Sequence, residues 1–275
     1  MALTVMNNPS SVSAQRFLSY TQRGLEKAIG HLASGLRIVR ASDDAAGLAI
    51  SEGLRSQIRS LAMCRRNAAD GISMAQTAEG ALNEVHGALT RMRELAIQSA
   101  NGTLGTGERT LLQNEFAALR SEINRIADVT EFNGFLLLDA AGSIALQVGT
   151  YDGVDHRLTV ILEDTHAVGL AAGLPAATIA TQAGARSALT VLDTAIDSVS
   201  GTRGAFGVLQ NRLEMTIDRL ATAEENTVAA ESRIRDADIA QETSLLTRAQ
   251  ILTQSGVAML AQANQIPMMG LSLIA

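Results

Sequence analysis

Proline stands at only three positions, Pro9, Pro175 and Pro267, and this scarcity constrains the fold more than any motif. Proline removes a helical N–H donor and clashes with the turn before it, so residues 10–174 and 176–266 lack the strongest helix breaker. Within those runs apolar residues recur at spacings of three and four. Leu18, Leu25, Ile29, Leu32, Leu36 and Val39 mark a first helical stripe. Ser42 or Asp43 then offers a side-chain oxygen to cap a second, long helix. That helix carries Leu54, Ile58, Leu61, Ala68, Ile72, Ala75, Leu82, Val85, Leu89 and Met92. Its stripe weakens near Arg65 and Glu79, which predicts altered packing there. A Gly/Thr-rich turn at Asn101–Gly107 precedes a third helix with Leu112, Phe116, Leu119, Ile123 and Ile126 in register. Helical spacing returns at Leu189, Leu192, Ile196 and Val199. It runs on through Leu213, Ile217 and Leu220 toward Ile234.

The middle of the chain changes period. Asn133-Gly134 signals a turn. Ile144, Leu146 and Val148 alternate with Ala145 and Gln147, and Leu158, Val160 and Leu162 alternate likewise, with Asp152-Gly153 between the two runs. A β-hairpin at about 143–163 is expected. His166 to Ala185 is rich in Gly, Ala and Thr around Pro175 and reads as an exposed connection. The expected fold is therefore mainly α: a long antiparallel helical bundle or coiled coil with a small β-hairpin insert, its two ends paired antiparallel.

The end of the chain carries no charged side chain from Ala249 to Ala275. Leu245, Ala249, Leu252, Gly256, Met259, Ala263 and Ile266 are nonetheless spaced four, three, four, three, so they share one side of a helix. Burying Leu245, Leu252, Met259 and Ile266 would gain roughly 1.5–3 kcal/mol each. Ordering the backbone costs about 1–2 kcal/mol per residue, and isolated helices of this length are marginal. Such a tail is expected to be mobile in a lone copy and ordered against other chains. Gln250, Gln254, Gln262, Asn264 and Gln265 make it too polar for a hydrocarbon core, so membrane insertion is not expected.

Composition narrows the function classes. Aromatic residues make up 3% of the chain, with no Trp, which suits close helix packing rather than an aromatic-lined pocket. A net charge of −6 argues against nucleic-acid binding. The single Cys64 forbids an intramolecular disulfide and sits at helical spacing after Leu61, as a packed thiol would. Residues 1–11 lack a basic segment followed by an apolar block, so the chain is expected to be cytoplasmic or exported by a route that reads no cleavable signal. His31, His86, His156 and His166 have no nearby partners at ligand spacing, so no metal is expected and the histidines read as solvated or half-buried. Gly102 to Thr110 fails as a phosphate loop, because Glu108 and Arg109 stand where Lys and Ser/Thr are required. Asp43-Asp44, Asp236 and Asp238 read as capping, turn or ion-pair residues, with Arg233, Arg235, Arg37 and Arg40 as candidate partners. No nucleophile–base arrangement has local support, so neither an enzyme nor a cofactor is expected.

Long segments are similar to one family. LEKAIGHLASGLRIVRASDDAAGLAIS (Leu25–Ser51), LNEVHGALTRMRELAIQSANG (Leu82–Gly102) and EINRIADVTEFNG (Glu122–Gly134) resemble the N-terminal signature and inner helices of bacterial flagellin, the subunit of the flagellar filament. Gln210–Gln265, with SRIRDADIA and MLAQANQ, resembles its C-terminal region. The hook–filament junction protein shares weaker versions of both ends and is an alternative, and a tail-anchored helical membrane protein is an alternative from another class.

The resemblance implies a helical homopolymer, secreted to the extracellular flagellum without a cleavable signal peptide. It implies an inner layer of terminal helices, 1–40 with 240–275, and a second layer, 41–183 with 184–239. The hairpin belongs to the second layer, and only a short variable connection remains at about 165–182. The partners implied are other copies of the chain, filament cap and hook-junction proteins, and an export chaperone covering the C-terminal helix. The stripe residues expected to serve polymerisation and that chaperone are Leu245, Leu252, Met259, Leu260 and Ile266. The resemblance further implies recognition of the monomer by Toll-like receptor 5, through Leu89, Arg91 and Glu115.

Overall fold

A computed structural model describes residues 7–272, with side chains through residue 265. The elements in chain order are α1 (Pro9–Ser34), α2 (Ala45–Ser99), α3 (Thr106–Val129), β1 (Glu131–Phe132), β2 (Phe135–Leu136), β3 (Gly142–Gln147), β4 (Arg157–Leu162), α4 (Ala167–Leu170), α5 (Gln182–Arg235) and α6 (Ile239–Ser272). The chain forms two compact units, Met1–Ile58 with Glu225–Ala275, and Arg59–Glu224.

Residues 59–224 hold the large apolar core. The α2 stripe expected from the sequence is its spine: Ala68, Ala75, Leu82, Val85, Leu89 and Met92 are buried, joined by Met74, Ala78 and Leu95. Phe116 and Ile123 of α3 and Leu192, Val199, Phe206 and Leu213 of α5 close over them. Ala at 68, 75, 78, 188 and 195 lets the helices approach closely, which an aromatic-poor composition permits. Where the stripe weakens, charged residues take over. Arg65 pairs with Glu224 (3.3 Å), and Glu79 accepts from Gln210 (3.0 Å), while Leu61, Cys64 and Leu220 form a separate small cluster. Helix α2 itself runs through unbroken.

The β-hairpin forms as its period required. β3 and β4 pair antiparallel with Ile144 opposite Val160 and Leu146 opposite Leu158. Its inner face packs on the core, and Asn67 of α2 donates to the Gln147 carbonyl (2.9 Å). A Cβ at Gly71 would lie 2.5 Å from Leu146 Cδ1, so the missing side chain is what lets the hairpin settle onto α2. Asn133 and Gly134 both have positive φ (51° and 79°) and make the tight turn between β1 and β2.

One expectation is corrected here. Residues 165–182 do not form an exposed connection. Leu170, Leu174 and Ile179 are buried in the main core, as is Thr165, whose N–H and hydroxyl both donate to the Leu138 carbonyl. Asn124 accepts from the Ala167 N–H (3.0 Å) and Gln113 from the Ile179 N–H (2.6 Å). Gly and Ala dominate the composition of this strap and mask three large apolar side chains. Those three fill the space between helices and compensate for backbone that has little secondary structure of its own.

Helix ends also differ from expectation in detail. α2 is capped by Asp44, whose carboxylate accepts from the Gly47 N–H (2.9 Å), and not by Ser42 or Asp43. Asp43 instead accepts from the N–H groups of Val39 and Arg40, closing the turn before it. Asp238 caps α6 through the Ala240 and Gln241 N–H groups, and Asp236 takes the Ser232 hydroxyl. The Arg235 guanidinium reaches Glu52 (2.6 Å), and Arg37 donates to the Ile234 carbonyl, so neither arginine pairs with these aspartates.

Candidate functional site

The unit that joins the chain ends is built differently. α1 starts with Pro9 at its first position and Asn8 accepting from the Ser11 N–H, and stops at Gly35 in the left-handed conformation (φ 71°). α6 runs back along it. Asn8 donates to the Ala263 carbonyl (2.8 Å), Ser11 to Asn264 (2.8 Å), and His31 lies against Glu242 (3.0 Å). The pairing is therefore antiparallel, and the chain enters and leaves it through a bridge between Leu36 and Asp236.

What this pair buries is small. Ala28, Ala249 and Ala263 face inward, and Gly256 leaves room for Leu18 at 3.3 Å from where a Cβ would stand. Large apolar residues point away instead: Phe17 and Tyr20 are each 72% exposed, Met259 66%, Leu252 52% and Leu245 42%. The seven-residue stripe expected from the sequence thus divides. Its small members at 249, 256 and 263 approach α1, and its large members at 245, 252 and 259 stand at the edge. Leu260 is half-buried, and the side chain of Ile266 lies outside the described residues. Phe17, Leu18, Tyr20, Leu245, Leu252 and Met259 together line an open groove of about 1190 Å³.

At one end of the groove lies a polar cluster that the sequence did not disclose. His31 is buried between Glu242 of α6 and Asp43 of the turn, with Lys27 on the other oxygen of Asp43 (2.9 Å). The Lys27 ammonium, aided by the Arg40 and Val39 N–H groups, holds the Asp43 carboxyl down to about 2 from an ordinary 3.8. His166 is also more engaged than expected. Its Nδ1 lies 2.7 Å from Asp164 and its Nε2 3.1 Å from Asp128 and 3.9 Å from Asp139. Burial opposes its charge, but the Asp128 and Asp164 carboxylates outweigh that and hold it above the usual imidazole value. Asp128, Asp139 and His166 lie close enough to share a cation. Both carboxylates are exposed, however, and the imidazole is already taken up in ion pairs that pin the start of the strap. Glu242 lies 211 residues from His31 and Asp128 lies 38 from His166, so no local spacing signalled those two partners, whereas Asp164 stands two residues before His166.

The three residues expected to meet a receptor are not brought together. Arg91 of α2 and Glu115 of α3 form an ion pair on the surface (2.9 Å), with Glu94 also on Arg91. Both glutamates hold the arginine above its usual value. Leu89 is fully buried in the core and presents nothing to a partner, a correction with a simple cause: two residues along a helix turn a side chain by about 200°.

Comparison with known proteins decides the family. Residues 5–143 match the bacterial flagellin N-terminal helical region, and residues 189–274 match the bacterial flagellin C-terminal helical region. The chain belongs to the bacterial flagellin family. Flagellin from Halalkalibacterium halodurans is 47% identical over 273 residues, covering 99% of this chain and 100% of that one. Flagellin from Bacillus subtilis is 40% identical over 307 residues, with 99% and 100% covered. The crystal structure of Bacillus cereus flagellin is 31% identical and covers 60% of this chain and 94% of its own, with a TM-score of 0.49. Flagellin relatives are thus matched from end to end, and the unmatched interval between the two family regions, 144–188, contains β4 and the strap.

Proposed function

We propose that this flagellin is the structural subunit of a flagellar filament, polymerising through the groove and the exposed apolar edges of α1 and α6. One observation carries the reading. The paired ends bury alanines against each other and leave Phe17, Tyr20, Leu245, Leu252 and Met259 uncovered. An inner layer of residues 1–40 with 240–275 then packs against copies of itself, and residues 41–239 form the layer outside it. Covering five such side chains would supply several kcal/mol per subunit, at roughly 1.5–3 kcal/mol each before ordering costs. The same surface suits an export chaperone that covers Leu245, Leu252, Met259 and Leu260 before assembly, and cap and hook-junction proteins at the filament's two ends. Identity of 47% across the full length of a flagellin favours the filament subunit over the junction protein. No helix among the described residues is long and apolar enough to cross a membrane, which disfavours the tail anchor.

The test is seeded polymerisation followed by electron microscopy. The full chain is expected to extend filament seeds, and a chain truncated after Arg248 to leave them unextended while retaining the α2 core. Extension by the truncated chain at the full-length rate would overturn the reading.

The exposed Arg91–Glu115 pair supports a second role, recognition of the monomer by Toll-like receptor 5, with Leu89 acting only by packing beneath. An arginine and a glutamate on adjacent faces offer charge-assisted bonds to a partner. Arg91→Asp and Glu115→Ala monomers are expected to signal at least tenfold less in a reporter-cell assay, and undiminished signalling would remove the role.

A further inference from the structure

Among the methionines whose side chains are described, Met259 is set apart. Met74 and Met92 are buried in the main core, and Met63 and Met215 are exposed on the unit formed by residues 59–224. Met259 is exposed on α6 and, alone among them, lines the groove of the terminal helix pair, together with Phe17, Leu18 and Leu252. A thioether offers an apolar, flexible side chain to a partner and a sulfur lone pair to an oxidant. Cys64, the competing sulfur nucleophile, is buried, so it does not shield Met259 by reacting first.

The place of Met259 in the groove decides what oxidation does there. Arg248 stands 11 residues earlier on α6, about 16 Å away along the helix axis at 1.5 Å per residue. The antiparallel pairing of His31 with Glu242 and of Asn8 with Ala263 sets Arg23 and Lys27 toward the Arg248 end, away from Met259. Around Met259 the groove wall is Ala14 and Phe17 of α1, and the nearest lining donors along the helices are the Ser10 and Ser255 hydroxyls. A sulfoxide oxygen is a polar acceptor. Covered at this end by the apolar side chains of another copy, it would give up its bonds to water with no cationic N–H to replace them.

We propose that Met259 is an oxidation site whose conversion to the sulfoxide withdraws an unassembled subunit from polymerisation, an inference that rests on the filament reading above. The oxidant is a peroxide. The Met259 sulfur lone pair attacks one peroxide oxygen, the O–O bond breaks and the S–O bond forms. Sulfur is oxidised by two electrons, and the other oxygen leaves as water after proton transfer. The step is reversible: a dithiol supplies two electrons and two protons, the sulfoxide oxygen leaves as water, and the dithiol closes to a disulfide, with one reductase for each sulfoxide epimer. Docking of a neighbour covers Met259, so the free subunit is the sensitive form and the assembled one is shielded.

The test treats the full-length monomer with hydrogen peroxide, maps sulfoxides by peptide mass spectrometry and follows seeded filament growth. Met259 is expected to oxidise at least about tenfold faster than the buried Met74 and Met92. The oxidised chain should extend seeds at least about tenfold more slowly than the untreated chain. Methionine sulfoxide reductases of both epimer specificities, with dithiothreitol, should restore growth. Met259→Leu should grow at the same rate before and after peroxide. Met268→Leu/Met269→Leu, which leaves Met259 in place, should lose growth as the unaltered chain does, and serves if Met259→Leu does not assemble. Equal growth of oxidised and untreated chains would overturn the proposal, as would a peroxide block that persists in Met259→Leu or oxidation of Met259 no faster than that of Met74. Failure of the untreated chain to extend seeds is a different result: it would overturn the filament reading, and this proposal with it.

Discussion

Arg109 tests whether a buried cation, rather than a glycine, ends the longest helix. A helix leaves its last carbonyls unpaired and carries partial negative charge at that end. At the end of α2 the Arg109 guanidinium, from the first turn of α3, donates to the carbonyls of Ser99, Asn101 (2.9 Å) and Leu104 (3.2 Å). Arg109 and Ser99 are both buried. In Arg109→Met, the replacement fills similar space without a donor. The Ser99 carbonyl then stays buried and unpaired, at about 1–3 kcal/mol. Asn101 and Leu104 are accessible enough for water to replace the lost bonds, so they add about 1 kcal/mol together, including the lost helix-end charge. The expected cost is about 2–4 kcal/mol. Arg109→Lys keeps the charge but cannot span three carbonyls, and should cost about half as much. Urea unfolding monitored by far-ultraviolet circular dichroism gives the magnitude, and amide exchange over residues 90–104 assigns it to this end of α2. A loss below about 0.5 kcal/mol in Arg109→Met, or equal losses in both variants, would refute the reasoning.

Four further outcomes follow from particular contacts. Leu174→Ala should cost about 2–5 kcal/mol in urea unfolding, because the side chain is fully buried in the main core; a cost near zero would restore the strap to the status of a loop. Gly169→Ala should destabilise by about 2 kcal/mol or more, since its Cβ would stand 2.3 Å from the Asp164 carbonyl oxygen, whereas Gly87→Ala, with open space, should gain about 0.5–1 kcal/mol. The contribution of Asp43 to the α1 end should be fully present above pH 4 and lost as pH falls through about 2, because its carboxyl is depressed in the folded chain; Lys27→Gln should move that loss upward, as read by carboxyl NMR titration. Burial pushes the Cys64 thiol up, so it should react with a thiol reagent far more slowly in the folded chain than in urea, and equal rates would show an accessible thiol.

The strap shows how far composition can mislead. Between His166 and Ala185 the small residues outnumber the large ones, and an exposed linker is the natural reading. Yet Leu170, Leu174 and Ile179 reach into a core whose other walls come from helices far along the chain. Leu89 failed for the converse reason: a residue type expected at a recognition surface sits instead on the buried stripe that its own spacing had already marked.

The amino-acid order alone determined the long helices, the β3–β4 hairpin, the separate turn at Asn133-Gly134 and the apolar stripe at the end of the chain. Each of these rests on neighbours within a few residues, where helical and strand periods act directly. Only the tertiary structure decided that small residues of the tail would face α1 while its large ones stayed open, that Arg109 would close α2, and that His31 would meet Glu242 across 211 residues. Those outcomes depend on which surfaces fit when distant segments are brought into van der Waals and hydrogen-bond range, and no local period encodes that fit.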